Sequence, residues 1–172
     1  MQFTDFRDRP ILFIDLEMSG LDPTEHEILE VGALVVDGKT LEIKKEYEAK
    51  VKPEHIETAN KTALRLNGYH ADKWEKAKPL KEVLLALNKL APGALVAGFN
   101  VTFDWMFLEI AYRRLGIEPE FDYHKLDVLA LAWAQILPDK SVKEVKLSEF
   151  CRHFGIERTE KHRALSDIKA TY

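Results

Sequence analysis

Cysteine and long apolar runs are what this chain lacks. Cys151 is the single cysteine among 172 residues, which excludes an internal disulfide framework and is typical of a reducing compartment. No apolar run approaches the roughly 20 residues that span a bilayer, and the polar N-terminus is unlike a signal peptide. The sequence therefore predicts a soluble, cytoplasmic protein with no membrane partner.

Basic residues are not in excess either. The chain has 25 Lys and Arg against 29 Asp and Glu, a formal net charge of −4, which argues against a broad surface for a long polyanion. A small site that contacts a few nucleotides stays compatible with this charge. With 46% hydrophobic residues the chain can bury a good core, and we expect one domain over 1–172 with 1–10 as a loose lead-in.

Apolar patterns place strands first and helices later. Three runs predict consecutive strands, the last two joined at Asp37-Gly38 and the third alternating like an edge strand, at 11–17, 27–36 and 41–51. After them, helical spacing alternates with one short strand at 94–98, and helices are predicted at 58–66, 80–90, 102–115, 127–137, 146–154 and from about 163. This order predicts an α/β fold with a mixed sheet.

Two acids interrupt the first strand. Asp15 and Glu17 stand two residues apart in the run 11–20, so on a strand both side chains leave by one face. Burying two acids together is costly unless a cation compensates them, and no Lys or Arg lies nearby in this stretch. The pattern indicates a metal site, while a solvated strand end is the competing interpretation.

A third acid follows the short strand. Asp104 falls in the first turn of the helix that begins near Thr102, where backbone N–H groups and the helix dipole favour an anion. Taken alone, Asp104 is interpreted as a carboxylate that complements the N-terminus of that helix.

The last informative stretch is 161–168, which contains His162 and Asp167. A five-residue step on one continuous helix would point the two side chains apart. If the helix begins at about Arg163, His162 lies in the preceding loop and can approach the same site as Asp167 from another direction. A surface histidine on a charged loop is the alternative.

Together these motifs resemble the DEDDh exonucleases. The pattern is Asp-x-Glu on a first strand, Asn-x-x-x-Asp at a strand-to-helix junction and His-x-x-x-x-Asp near the C-terminus. The superfamily includes the proofreading subunit of the bacterial replicative polymerase, oligoribonuclease and ribonuclease T. The resemblance spans about 11–172, and its His-x-x-x-x-Asp spacing selects the histidine branch over the tyrosine branch.

The resemblance implies a fold and a catalytic site. It implies a ribonuclease H-like, five-stranded mixed sheet with its first three strands antiparallel, flanked by helices. It also implies that four acids bind two divalent ions and that His162 acts as general base, the acids being Asp15, Glu17, Asp104 and Asp167. Hard oxygen ligands suit Mg²⁺ or Mn²⁺.

The resemblance also implies a subsite for the terminal nucleotide. Ser19 and Gly20 would offer backbone contacts, while Met18 and Leu21 would pack on the base. Asn100 would lie near the terminal sugar, and Phe103 is also expected among the substrate-binding residues. The segment 66–69 is similar to the family's loop over the base, where Tyr69 replaces the commoner aliphatic residue and could stack.

Two departures from the family pattern are visible. Phe99 stands where many relatives have a histidine before the asparagine. The chain also ends at Tyr172, five residues past Asp167, where relatives usually continue the last helix for several turns, so we expect a truncated C-terminal helix.

The implied reaction is hydrolysis of the last phosphodiester at a 3′ end, releasing a nucleoside 5′-monophosphate. A non-hydrolytic nucleic-acid-binding or polymerase-docking domain is the alternative, and an endonuclease or strand-transfer enzyme is a third. The expected partners are single-stranded or 3′-end DNA or RNA, with a polymerase or another replication or repair protein as a further partner. The choice between DNA and RNA and the oligomeric state are left open.

Other acids, bases and aromatics receive simpler interpretations. Asp127 is predicted to cap the helix that follows it rather than to bind metal. Apolar helical patterns place Trp105, Phe107 and Trp133 in the core. Six basic residues flank the proposed site in sequence and either guide phosphates or lie on solvated loops: Lys140, Lys143, Lys146, Arg158, Lys161 and Arg163.

Overall fold

A computed structural model describes residues 4–158 and 162–172 of the chain. Its strands are β1 (Ile11–Met18), β2 (Ile28–Val36), β3 (Ile43–Lys50), β4 (Leu95–Gly98) and β5 (Lys125–Asp127). Its helices are α1 (Lys61–Leu66), α2 (Leu80–Leu90), α3 (Val101–Arg114), α4 (Val128–Ile136), α5 (Leu147–Phe154) and α6 (Ala164–Thr171). Lys161, one of the six basic residues above, lies outside the described residues.

The five strands form one mixed sheet in the order β3-β2-β1-β4-β5. β1, β2 and β3 are antiparallel neighbours, and β4 and β5 continue the sheet in parallel. β3 lies at the edge, as its alternating pattern predicts, and most of its residues are exposed. β5 was not predicted from the residues, because three residues are too short to carry a recognisable period.

Alternation along β1 divides the core between the two faces of the sheet. Leu12, Ile14 and Leu16 belong to the larger cluster, with residues of α2 and α3. Phe13 points to the opposite face and packs in a second cluster with Ile168 of α6. Because side chains alternate along a strand, Asp15 and Glu17 share the face of Phe13, so the acids lie on the side that α6 covers.

β1 extends beyond β4, its parallel neighbour in the sheet. Its parallel pairing with β4 ends at Phe13, so 14–18 extend past β4 along that edge. Beyond Gly98 the chain turns at Asn100, in the left-handed conformation, and α3 begins at Val101. The end of β1 and the start of α3 therefore meet, and this is where the acids gather.

The helix α4 departs from the prediction. Its sequence is almost wholly apolar, yet Ile136 is its only buried residue. Trp133 is 46% exposed and does not join the core, whereas Phe107 of α3 is buried as expected. The apolar period was correct for the helix, but period alone does not reveal which residues a neighbouring element will cover. Within the described ranges, no helix is both long enough and apolar enough to cross a membrane.

Candidate active site

One cleft of about 810 Å³ collects the residues that the sequence singled out. Its lining includes all four acids and the histidine, namely Asp15, Glu17, Asp104, His162 and Asp167. They come from three separate elements, which are β1, α3 and the start of α6. The geometry of each element explains how residues so far apart in sequence converge.

The strand β1 supplies two carboxylates at its end. Asp15 lies opposite Gly32 of β2, and Glu17 lies opposite Glu30, just before an irregularity in the strand pairing. Glu17 is buried and Asp15 is partly buried. Both line the cleft, which agrees with the period of two that places them on one face.

The helix α3 supplies the third carboxylate from its first turn. Asp104 is buried, and its Oδ1 accepts a hydrogen bond of 3.0 Å from the backbone N–H of Leu16. That N–H belongs to the part of β1 that extends past β4. Asp104 is therefore fixed by the strand end as well as by its position in the helix, which the helix-dipole explanation alone did not include.

The start of α6 supplies the histidine and the fourth carboxylate. The helix begins at Ala164, so His162 lies ahead of it, with φ at 57°, and Asp167 is buried one turn inside. The backbone N–H of His162 donates to Oδ2 of Asp167 over 3.2 Å. One potential ligand atom from each of Glu17, His162 and Asp167 lies within 4.8 Å of the other two. Because His162 lies in the loop before α6, its side chain can face Asp167, which it could not do from a position on the same helix.

Two contacts that the sequence analysis missed hold α6 against the sheet. Gly32 leaves room for the helix, since a Cβ there would lie 2.4 Å from backbone atoms of Ala164 and Leu165. The buried Glu30 accepts a hydrogen bond of 3.3 Å from the N–H of Ala164 and lies 3.5 Å from the Arg163 guanidinium. The basic residue Arg163 thus anchors the helix through Glu30.

Electrostatics in the cleft favour a cation. Burial is the largest cause that raises the pKa of Glu17 to about 8, and Asp167 and Glu30 raise it further. Burial also raises the pKa of Asp104 to about 7, against the lowering effect of the Leu16 N–H. For Asp15, burial followed by Asp104 and Glu17 raises the pKa well above its usual value. A cation among these carboxylates would compensate their buried negative charge.

Three of the expected substrate residues line the cleft. They are Met18 at the end of β1, Asn100 at the turn before α3 and Phe103 within α3. Asn100 is exposed, and its backbone N–H donates to Asp127 over 3.0 Å. The same Asp127 oxygen accepts from the N–H of Leu129, so Asp127 caps α4 as predicted.

Ser19 and Gly20, which were expected beside the terminal nucleotide, lie in the turn that follows β1. Ser19 is fully buried, its N–H and Oγ are hydrogen bonded to the backbone of Glu27, and its carbonyl accepts from Asn60. Gly20 packs against the His26 ring, which a Cβ would overlap at 2.0 Å. Neither residue lines the cleft, because both fix the turn that follows β1 instead.

Leu21 and Tyr69 also lie apart from the cleft lining. Leu21 is 79% exposed. The Tyr69 ring packs on Trp74, with ring centroids 4.9 Å apart. From the segment 66–69, the residue that lines the cleft is Leu66. The aliphatic side chain that this segment offers to the cleft is therefore that of Leu66.

Several cleft residues carried no individual signal in the sequence. They come from the start of α4, from the approach to α5 and from its first turn, and they are Leu129, Val145, Leu147 and Ser148. Phe99, noted above as a departure from the family pattern, also lines the cleft. Lys146 and Arg158 had been considered only as sequence neighbours of the site. The structure places both in the cleft lining, whereas Lys140 and Lys143 are not part of it.

Comparison with known sequences identifies relatives over nearly the whole chain. The sequence model of an exonuclease family, RNase T, matches residues 12–172. The chain is 28% identical over 167 residues to the PolC-type DNA polymerase III of Thermotoga maritima, covering 96% of this chain and 12% of the polymerase. For the Bacillus subtilis PolC-type polymerase, the identity is 29% over 157 residues, covering 91% and 10%. The chain thus spans about one tenth of these relatives.

Solved structures confirm the expected ribonuclease H-like fold. E. coli exonuclease I in complex with a dT13 oligonucleotide superposes with a TM-score of 0.81 at 18% identity, covering 95% of this chain and 39% of that one. Apo exonuclease I gives a TM-score of 0.79 at 20% identity, covering 95% and 40%. At these identities the likeness concerns the fold, including the mixed five-stranded sheet with three antiparallel strands.

Proposed function

The chain belongs to the exonuclease family, and from that premise we propose that it removes nucleotides from the 3′ end of a single nucleic-acid strand as nucleoside 5′-monophosphates. The convergence of four carboxylates and a histidine in one cleft carries this proposal. A binding domain without hydrolytic activity would gain nothing from acids that raise one another's pKa.

We propose Asp15, Glu17, Asp104 and Asp167 as ligands for two divalent ions, Mg²⁺ or Mn²⁺. Their oxygen donors suit hard cations, and four carboxylates balance the charge of two such ions. When bound, the ions would activate a water and stabilise the leaving 3′-oxygen of an in-line displacement. The raised pKa values of Glu17 and Asp104 support this proposal, because a cation would compensate their burial.

The remaining roles belong to side chains in and around the cleft. His162 lies beside Glu17 and Asp167, within reach of a water held by them, and we propose it as the base that accepts the water's proton. Met18, Leu66 and Phe103 offer apolar surface to the terminal nucleotide, and Asn100 offers an exposed amide. Lys146 lines the cleft and pairs with Glu144, and we propose that it exchanges this partner for a phosphate of the strand.

The names of similar proteins favour a DNA strand and a polymerase as partner. The sequence relatives are DNA polymerases, and the solved neighbour was crystallised with a dT13 oligonucleotide. This chain covers only about a tenth of those polymerases. The DNA substrate and the replication context are therefore proposals that rest on the relatives alone. A direct comparison of matched DNA and RNA oligonucleotides measures the preference.

The test of the proposed function uses a 5′-labelled single-stranded oligonucleotide and a circular single strand. With Mg²⁺ or Mn²⁺ we expect a ladder of shortened linear products, intact circles and no activity in EDTA. Cleavage of the circle would indicate an endonuclease instead. Binding of the labelled strand with no ladder in either metal would favour the non-hydrolytic binding domain.

The pH dependence of stability provides a prediction without substrate. Unfolded carboxyls titrate near pH 4, whereas folded Glu17 and Asp104 titrate near 8 and 7, so between these values the native state binds more protons. Their stabilising contribution is complete at low pH and is lost as pH rises through 7 to 8. In EDTA we expect Tm to fall by roughly 5 °C or more between about pH 6 and 8.5.

Two controls accompany this measurement. Mn²⁺ should restore Tm at the higher pH, because the ion replaces the lost protons. Glu17→Gln should reduce the pH dependence in EDTA, since the amide does not titrate and Asp104 remains as the second titrating acid. A Tm that stays constant or rises over the same interval in the wild-type protein would contradict the raised pKa values.

The packing of α6 provides a second prediction. Gly32→Ala forces the helix away from β2, because the new Cβ meets backbone atoms rather than a flexible side chain. We expect a loss of about 1–3 kcal/mol in stability and roughly a hundredfold in activity, since Asp167 and His162 move with the helix. Urea unfolding and the oligonucleotide assay measure both effects.

Gly116→Ala serves as the matched control. At Gly116 a Cβ would meet nothing within 4 Å, but φ is +63°, so the substitution costs about 1 kcal/mol of backbone strain without touching α6. Its activity should stay near wild type. Equal activity losses in the two glycine variants would show that the position of α6 is not what matters.

A further inference from the structure

Arg158 makes a buried contact in the cleft that the proposed function leaves unused. Its guanidinium forms a two-pronged ion pair with Asp167, in which Nε donates to Oδ1 and Nη2 donates to Oδ2. The Arg158 side chain is only 10% exposed. Both oxygens of one proposed metal ligand are therefore engaged by a cation of the protein itself.

The charge of Arg158 also acts on the neighbouring acids. Arg158 lines the same cleft as Asp15 and Glu17. Arginine keeps its proton at any physiological pH, so its positive charge in the cleft is constant. Arg158 thus supplies part of the positive charge that a divalent ion would supply.

A guanidinium and a metal ion cannot hold Asp167 in the same way at once. The planar fork uses both carboxylate oxygens, and a second cation at that carboxylate would meet the repulsion of the first. The pair is also shielded from water, which strengthens it relative to a surface ion pair. Arg158 stands in the connection between α5 and α6, outside any helix, so it can leave without breaking a helical hydrogen bond.

We propose that Arg158 is a resident counter-ion that competes with the metal for Asp167. It stabilises the metal-free protein, and it lowers the affinity of the site for divalent ions because it must leave Asp167 before that carboxylate can bind one. This proposal rests on the metal site of the proposed function. It assigns to Arg158 a role in setting the metal concentration at which the site fills.

The experiment compares Arg158→Met with Arg152→Met. Methionine keeps much of the length of arginine without its charge. Arg152 pairs with Glu149 on α5 and does not line the cleft. Mn²⁺ binding is followed without substrate, by the electron paramagnetic resonance signal of free Mn²⁺. We expect Arg158→Met to bind Mn²⁺ roughly tenfold or more tightly than wild type and Arg152→Met to bind it unchanged.

Thermal unfolding provides the second measurement. In EDTA, Arg158→Met should have a lower Tm than Arg152→Met, because the acid cluster loses its counter-charge. In saturating Mn²⁺ the order should reverse, and Arg158→Met should have the higher Tm. Arg158→Lys should bind Mn²⁺ with intermediate affinity, since a single ammonium cannot form the fork.

The outcomes separate this proposal from the proposed function. If wild type binds Mn²⁺ and Arg158→Met binds it equally or more weakly, Arg158 is not a competitor, although the metal site stands. If neither protein binds Mn²⁺, the metal site and the role of Arg158 both fail. Equal gains in Arg158→Met and Arg152→Met would reduce the effect to general charge and overturn the proposal.

Discussion

Asp104→Asn is expected to reduce hydrolysis on the order of a thousandfold or more while leaving the fold intact. The amide oxygen of asparagine can still accept the hydrogen bond from the Leu16 N–H, so the contact between α3 and β1 is kept. What the variant loses is a negative ligand for the divalent ions. Steady-state hydrolysis of a labelled oligonucleotide in Mg²⁺ measures the effect.

Stability should move the other way in the same variant. Wild-type Asp104 carries a pKa of about 7 because it is buried, so near pH 8 the metal-free protein bears the cost of a desolvated charge that asparagine lacks. We expect the Tm of Asp104→Asn in EDTA to equal or exceed that of wild type, with a smaller gain on adding Mn²⁺. A lower Tm together with activity within tenfold of wild type would show that Asp104 is structural.

Asp127→Asn is the matched control for this substitution. Asp127 lies at the same end of the sheet and its charge contributes to the raised pKa of Asp104, but its Oδ1 accepts from the backbone N–H groups of Asn100 and Leu129. Asparagine is an equally good N-cap, so both stability and activity should stay near wild type. If Asp127→Asn were as inactive as Asp104→Asn, Asp127 would count as a fifth essential acid.

His162→Asn should lower the rate about 10²- to 10⁴-fold without changing the affinity for Mn²⁺. Asparagine tolerates the left-handed backbone at this position, and its N–H can still donate to Asp167, so the start of α6 is preserved. The lost function is proton acceptance. We expect His162→Ala to lose a similar factor in rate and some additional stability.

Rate and metal affinity together distinguish a base from a ligand. A base contributes to the rate alone, so at saturating Mn²⁺ His162→Asn should lose rate and keep the Mn²⁺ affinity of wild type. His70→Asn, on the surface and outside the cleft lining, is the control and should behave like wild type. Near-wild-type hydrolysis by His162→Asn at pH 7 would remove the histidine from the mechanism. A loss of Mn²⁺ affinity would make His162 a metal ligand instead.

The sequence contained most of the catalytic geometry because that geometry follows from local rules. A period of two fixes the shared face of Asp15 and Glu17, and a helix start fixes Asp104 in a first turn. Residues five apart on one helix point in different directions, so His162 could share a site with Asp167 only from the loop before the helix. Each inference needs only the conformation of one element, and the structure places all of these residues in one cleft.

The contacts that the sequence did not reveal depend on how separate elements pack. Nothing within the segment 66–69 indicates that Tyr69 will meet Trp74 and leave Leu66 at the cleft. Ser19 was expected at the substrate, but its hydrogen bonds go to the turn after β1. Likewise, Glu30 has no local signal of its role, since its partners lie more than 130 residues away in α6.

The orientation of Arg158 could not be predicted from sequence either, because it depends on the charges that surround it in the folded protein. Its position in sequence suggested a phosphate contact or a solvated loop, and both interpretations assumed that it faces outward. The structure turns it inward onto Asp167, where four acids from three elements produce a field that no single segment carries. Such a field appears only once the elements are assembled.

The most direct test of the account is a crystal of this protein soaked in Mn²⁺ and measured at the manganese absorption edge. Two anomalous peaks about 3.5–4 Å apart, each within bonding distance of carboxylate oxygens from Asp15, Glu17, Asp104 or Asp167, are the predicted result. Arg158 should then lie off Asp167. An absence of peaks among these four carboxylates in an otherwise intact fold would contradict the two-metal site on which the proposed function depends.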